Sequence, residues 1–140
     1  LLRMSKGRYT LHRATEARHR GRAAGLDLHV LDAHDGQERP VQTLSGGESF
    51  LAALALSLGL ADVVQAYSGG IHLDTLFVDE GFGTLDPQAL DLALDVLTEL
   101  QAEGRLVGII SHVPALKERI GTRLEVLPGA EGSRTRFTFG

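Results

Sequence analysis

Two acids stand side by side at Asp79 and Glu80, directly after the short apolar run LFV at 76–78. Such a run reads as a strand, and ligands of open α/β sheets bind beyond the carboxyl ends of strands. Neighbouring side chains on a strand point to opposite faces, but where the backbone turns at its end both can serve one site. Asp79 suits a hard cation such as Mg2+, which takes one or two carboxylates together with water and substrate phosphates. Glu80 then suits a group that accepts a proton from, or orients, a water attacking a phosphate. A plain strand end carries the same pattern.

Upstream, LSGGES at 44–49 offers a second chemistry. Gly46 and Gly47 after Ser45 let the backbone approach a ligand closely, and amides at a helix start form an anion site. The alternative is a loop-to-helix turn with an ordinary cap. Downstream, His112 follows the apolar run LVGII at 106–110, again at a carboxyl end. A histidine there donates to a phosphate oxygen, holds a nucleophilic water, or is a structural hydrogen-bonding group. The other five, His12, His19, His29, His34 and His72, show no metal-ligand spacing such as HExxH. His29 and His34, beside Asp32 and Asp35, read as solvated.

The elements that must position these groups follow from local pattern. Ser45 and Glu48 have capping-box spacing, so a helix begins at Ser45. Phe50–Val64 is apolar nearly all round, which predicts a helix buried on most sides, with Ala52, Ala53, Ala55 and Gly59 allowing close packing. LFV and LVGII suit parallel strands covered on both faces. Between them Asp86–Pro87 supplies an N-cap and a first-turn proline, Leu90, Leu94, Leu97 and Leu100 form one stripe, and Gly104 ends the helix. That is a βαβ unit, expected to be right-handed. Ahead of it, GRYTLHRA and LDLHVLDA are strands and AHDGQERP at 33–40 is a turn-rich loop. The tail, RLEVL to RTRFTF around PGAEG, reads as a closing antiparallel hairpin.

The bulk numbers bound the rest. The 140 residues suffice for one domain with a core, and the absence of cysteine excludes disulfides and thiolate zinc sites. The longest apolar stretch, Phe50–Ala61, is interrupted by Ser57 and ended by Asp62, short of the roughly 20 residues of a membrane span, so a soluble chain with no membrane partner is expected. The net charge of −4 hides an asymmetry: residues 1–22 hold seven Lys/Arg against the single acid Glu16. This segment suits contact with nucleic-acid phosphates, or equally a solvated face or the foot of a longer helix. The only lysines, Lys6 and Lys117, do not follow a glycine, so no Gly-x-x-x-x-Gly-Lys-Ser/Thr phosphate loop is present.

Taken in order, LSGGE, the apolar run with Asp-Glu, GTLD and Ser-His resemble the C-terminal half of an ABC-type ATPase head. The strings LSGGESFLAALALSLGLADVV, LDTLFVDEGFGTLD and GIISHVPALKERI are similar to the SbcC family of SMC-like ATPases, over most of residues 44–127. The resemblance implies an α/β fold, a mostly parallel sheet flanked by helices with a C-terminal antiparallel hairpin, making 1–140 the C-terminal lobe and 1–22 a basic segment after a coiled coil. It implies that Ser45, Gly46, Gly47 and Glu48 form the signature motif facing ATP on an opposing head. Asp79 would be the Walker B aspartate on Mg2+, Glu80 the catalytic glutamate, Asp86 the D-loop residue and His112 the switch histidine. The implied partners are the N-terminal half of the same protein with the phosphate loop, a second head in a homodimer, an SbcD-like nuclease and double-stranded DNA, in the cytoplasm near the nucleoid. A non-catalytic scaffold module, or a head of another SMC-like repair ATPase, are the competing expectations.

Overall fold

The computed structural model describes residues 1–13, 27–67, 69, 73–130 and 132–140. They fall into two units, Leu1–Ile110 and Ser111–Gly140.

The first unit opens with three antiparallel strands, β1 (Tyr9–Arg13), β2 (Leu28–Asp32) and β3 (Gln37–Pro40), in the order β1-β2-β3. Tyr9 lies opposite Asp32, and His29 opposite Pro40. Both expected strands form. The expected loop at 33–40 is instead half strand. Asp32 and Asp35 accept the His34 and Gln37 backbone N–H groups at 3.0 and 2.9 Å, and Gly36 takes φ +68°, which closes a hairpin around Asp35–Gly36. The polar strand Gln-Glu-Arg-Pro pairs through its backbone at the sheet edge, where a terminal proline is tolerated.

A short 3-10 turn at Val41–Thr43 leads into α1 (Gly46–Tyr67). Leu51, Ala52 and Leu54 are buried, but Leu56, Leu60, Val63 and Tyr67 are exposed. The expectation of burial on most sides is therefore not met within this chain. The helix has the length and apolar composition of a membrane span. Its buried residues, however, lie on its first half, where it packs on the body of the unit. Leu11 and Leu28 of the sheet share an apolar groove of about 240 Å³ with Ala52, Ala53 and Leu56.

The βαβ unit is present. β4 (Thr75–Asp79) and β5 (Leu106–Ile110) are parallel, in register from Thr75 opposite Leu106 to Asp79 opposite Ile110. They are joined by α2 (Pro87–Ala102), which Asp86 caps and after which Gly104 turns at φ +95°. Leu90, Ala93 and Leu97 make its buried stripe. Among the described strands, parallel pairing is confined to β4 and β5. The two are not covered on both faces, since Phe77 is 67 % and Leu106 62 % exposed.

The second unit holds α3 (Pro114–Arg119) and the antiparallel pair β6 (Arg123–Leu127) and β7 (Arg134–Thr138), the expected closing hairpin. Arg136 donates to Glu125 at 2.7 Å across the pair, which holds the Glu125 carboxyl below its usual range.

Candidate functional site

The Ser45 backbone N–H donates to Glu48 Oε2 at 2.9 Å, and the Glu48 N–H donates to Ser45 Oγ at 3.3 Å. The capping box is thus reciprocal, and Ser45 sits exposed at the mouth of α1. The glycines have a partner within the chain. A Cβ on Gly47 would stand 2.8 Å from the Thr84 carbonyl oxygen, and one on Gly46 3.7 Å from Thr84 Cβ. The glycine at 47 is what lets the first turn of α1 approach the turn at 82–84, a need that local pattern does not reveal.

β4 ends level with β5, and the Glu80 N–H donates to the Ile110 carbonyl at 2.9 Å. Glu80 is then left-handed at φ +58° and Gly81 at φ +90°, which throws the chain into the 3-10 turn Phe82–Thr84. A non-glycine residue in that region is strained by roughly 1 kcal/mol or more, and such strain gathers at functional sites. The left-handed Glu80 ends the strand's alternation where two adjacent acids need it to end, with both carboxyl groups exposed. A Cβ on Gly81 would lie 2.2 Å from the Phe50 ring, so Phe50 of α1 covers this turn.

Asp86 Oδ1 accepts the Ala89 N–H at 2.9 Å and caps α2. His112 belongs to the second unit, where it is exposed, two residues past β5 in the chain. Beside it the Val113 N–H donates to Ser111 Oγ at 3.2 Å.

A buried polar cluster beneath Ser45 was missed. Asp32, 3 % exposed, takes the Arg8 guanidinium at 2.8–3.2 Å. The Tyr9 hydroxyl donates to Glu48 Oε1 at 2.5 Å, and Arg39 donates to the Thr43 carbonyl at 2.9 Å. Arg8 and the His34 N–H bring the Asp32 carboxyl down to about 2, while burial and the Glu48 carboxylate push the Tyr9 phenol up to about 12. Burial opposes the charge on Glu48, yet the Tyr9 and Ser45 donors leave its carboxyl below the usual range. Both Glu48 oxygens are engaged by protein donors, so this side chain holds Ser45 in place. The signal was present: Leu28, Val30 and Asp32 share one phase of the strand alternation, which points Asp32 inward.

Two cations of the basic segment are committed internally, Arg8 to Asp32 and Arg3 to Glu99. Arg18, Arg20 and Arg22 lie outside the described residues, as do His19 and His72.

Residues 15–99 match the protein family described as SbcC/RAD50-like, Walker B motif. The chain belongs to this family. It is 61 % identical over 137 residues to the SbcC component of the SbcCD nuclease of Vibrio cholerae and 52 % identical to that of Staphylococcus haemolyticus. Those matches cover 98 % of this chain but only 14 % and 13 % of the relatives' lengths. Among solved structures, an SMC ATPase from work on ATP-driven dimerization superposes with a TM-score of 0.71 at 18 % identity, over 97 % of this chain and 76 % of that one. The Smc head with an extended coiled coil from Pyrococcus furiosus gives 0.67 at 17 % identity, over 99 % and 32 %. The fold of this SbcC-type chain is therefore that of an SMC ATPase head, a mixed α/β structure with one parallel pair and antiparallel hairpins among its described residues.

Proposed function

We propose that these 140 residues are the signature and Walker B half of an SbcC-type ATPase head, completed by an N-terminal half that carries the phosphate loop. ATP would lie between two such heads, with Ser45–Gly47 of one facing the phosphates held by the other. The observation that carries this reading is the junction of α1 with the turn after β4. Gly47 lies against Thr84 and Phe50 covers Gly81, so the two candidate phosphate-facing segments form one rigid surface.

Asp79 fits Mg2+. It is an exposed carboxylate at the carboxyl end of a parallel strand, and no group of three or more His, Cys, Asp and Glu gathers among the described residues, so the remaining ligands would be phosphates and water. The ion would supply charge neutralisation on the phosphate oxygens. Glu80 would hold the attacking water and take its proton, its backbone pinned to Ile110. Asp86 would stand at the head–head boundary, and His112 would donate to the terminal phosphate.

The N-terminal half has an evident place to dock. Leu56, Leu60 and Val63 of α1 and Phe77, Leu106 and Ile110 of β4–β5 are exposed apolar side chains, and parallel strands are normally covered. The names of the relatives support the wider reading, in which head engagement in the cytoplasm, at the nucleoid, gates an SbcD-like nuclease on double-stranded DNA.

The test uses the complete protein. Glu80→Gln should leave ATP-dependent head dimerisation intact while hydrolysis falls at least about a hundredfold, the usual size of a lost general base. Undiminished turnover would refute the assignment.

A further inference from the structure

All three strands of the first sheet send a side chain toward the approach to Ser45. From β1, Tyr9 donates to Glu48 Oε1 at 2.5 Å, and Glu48 Oε2 takes the Ser45 N–H at 2.9 Å. From β2, Asp32 grips Arg8, whose guanidinium lies 4.6 Å over the Tyr9 ring and 3.8 Å from Glu48 Oε1. From β3, Arg39 donates to the Thr43 carbonyl and hydroxyl at 2.9 and 2.7 Å, and its guanidinium lies 5.7 Å from the Tyr9 ring centre. The backbone on both sides of Leu44 is thus tied to the sheet, with Thr43 held by Arg39 and Ser45 held through Glu48.

We propose that Arg8, Tyr9, Asp32 and Arg39 are positioning residues that fix the Ser45 backbone for its contact with phosphate, acting through Glu48 and Thr43. The proposal rests on the reading of Ser45–Gly47 as the phosphate-facing signature. Its physical basis is preorganisation. A helix start that must present amides and a hydroxyl to an anion gains when their direction is set before the anion arrives. The capping box alone is a local link that frays with the helix end. Anchored to a buried Arg–Asp pair, it moves only if the sheet moves. The depressed Asp32 and raised Tyr9 keep the cluster in one protonation state at neutral pH, which fits a fixed support.

In the complete protein, Tyr9→Phe removes one hydroxyl and keeps the ring that Arg8 and Arg39 cover. ATP binding to single heads should be unchanged, while the ATP concentration for half-maximal head dimerisation rises roughly five- to tenfold, as for one lost hydrogen bond to a charged group. In a Glu48→Ala background, Tyr9→Phe should add nothing further. Arg39→Lys, which keeps the charge but loses the fork on Thr43, should shift dimerisation the same way. Dimerisation of Tyr9→Phe at wild-type ATP concentrations would overturn the proposal. So would effects of Tyr9→Phe and Glu48→Ala that multiply in full, since the hydroxyl would then act independently of Glu48. Ser45→Arg separates the two levels. If it blocks dimerisation while Tyr9→Phe is normal, only the positioning role fails; if Ser45→Arg itself dimerises normally, the signature reading fails and takes this proposal with it.

Discussion

Phe50 and Phe82 meet edge to face, with ring centroids 4.9 Å apart and planes inclined at 64°. One comes from GESF at the start of α1 and the other from DEGF after β4, so the two strings most specific to the family touch in space. Phe82 is 1 % exposed, and Phe50 is half-buried over Gly81. Phe82→Ala should therefore destabilise the assembled head by about 3–5 kcal/mol, the range for emptying a buried phenylalanine site, and Phe50→Ala by less. A double-mutant cycle in urea should leave about 0.5–1.5 kcal/mol of coupling between them. Additive losses would show that the rings only fill space.

Gly81 and Gly104 share a left-handed backbone, at φ +90° and +95°, but not an environment. A Cβ at Gly104 meets nothing within 4 Å, whereas at Gly81 it would fall 2.2 Å from Phe50. Gly104→Ala should cost only the conformational penalty of about 1–2 kcal/mol. Gly81→Ala adds displacement of the Phe50 ring and should cost clearly more. Equal shifts in denaturation midpoint would rule out the close packing of Phe50 on this turn.

Local signals carried most of what the sequence disclosed. The Ser45–Glu48 box, the Asp86–Pro87 start, Gly104 and the run LVGII each act within a few residues, and each element formed where its pattern placed it. Apolar character showed that α1 and β4 seek cover but not what supplies it, hence the exposed Leu60 and Phe77. The strand at Gln37–Pro40 was hidden because an edge strand pairs through its backbone and its polar side chains face water. Asp32 and Arg8 were read as surface charge because their mutual neutralisation depends on a pairing between distant strands. Gly47 was assigned to ligand approach, since its neighbour Thr84 is close only after folding.

Glu80 is left-handed at φ +58°, a conformation that favours glycine. Glu80→Gly should relieve that strain and leave the nucleotide-free head as stable as wild type or up to about 1 kcal/mol more stable, while hydrolysis is lost. Thermal unfolding beside an ATPase assay checks both halves. A marked loss of stability would mean that the carboxylate, not the backbone turn, is what the fold requires.

The Asp32–Arg8 pair makes stability depend on acid in a defined window. The folded carboxyl, near 2, lies below its ordinary value of 3.8. Its contribution is therefore fully present above the ordinary value and is lost as pH falls through the folded one. Tyr9 behaves in the opposite sense, its contribution present below 10 and lost as pH rises toward about 12. Between these limits the cluster adds no pH dependence. The stability difference between wild type and Asp32→Asn should be constant near neutrality and shrink as pH falls from about 4 toward about 2. A difference that changes between pH 5 and 9 would contradict this assignment.

Ser45 does two jobs in the proposed head, and substitutions can part them. As a cap its Oγ accepts the Glu48 N–H at 3.3 Å, and as an exposed group at the mouth of α1 it would face phosphate. Ser45→Arg loses the cap, at about 1 kcal/mol, and fills the interface, so its loss of dimerisation alone does not separate the jobs. Ser45→Asp caps as well as serine and suits the positive end of the helix. It places negative charge where phosphate would sit. The Asp variant should therefore melt at or above the wild-type temperature, bind ATP on single heads, and fail to dimerise with ATP. If it dimerises as wild type does, Ser45 is a helix cap and nothing more.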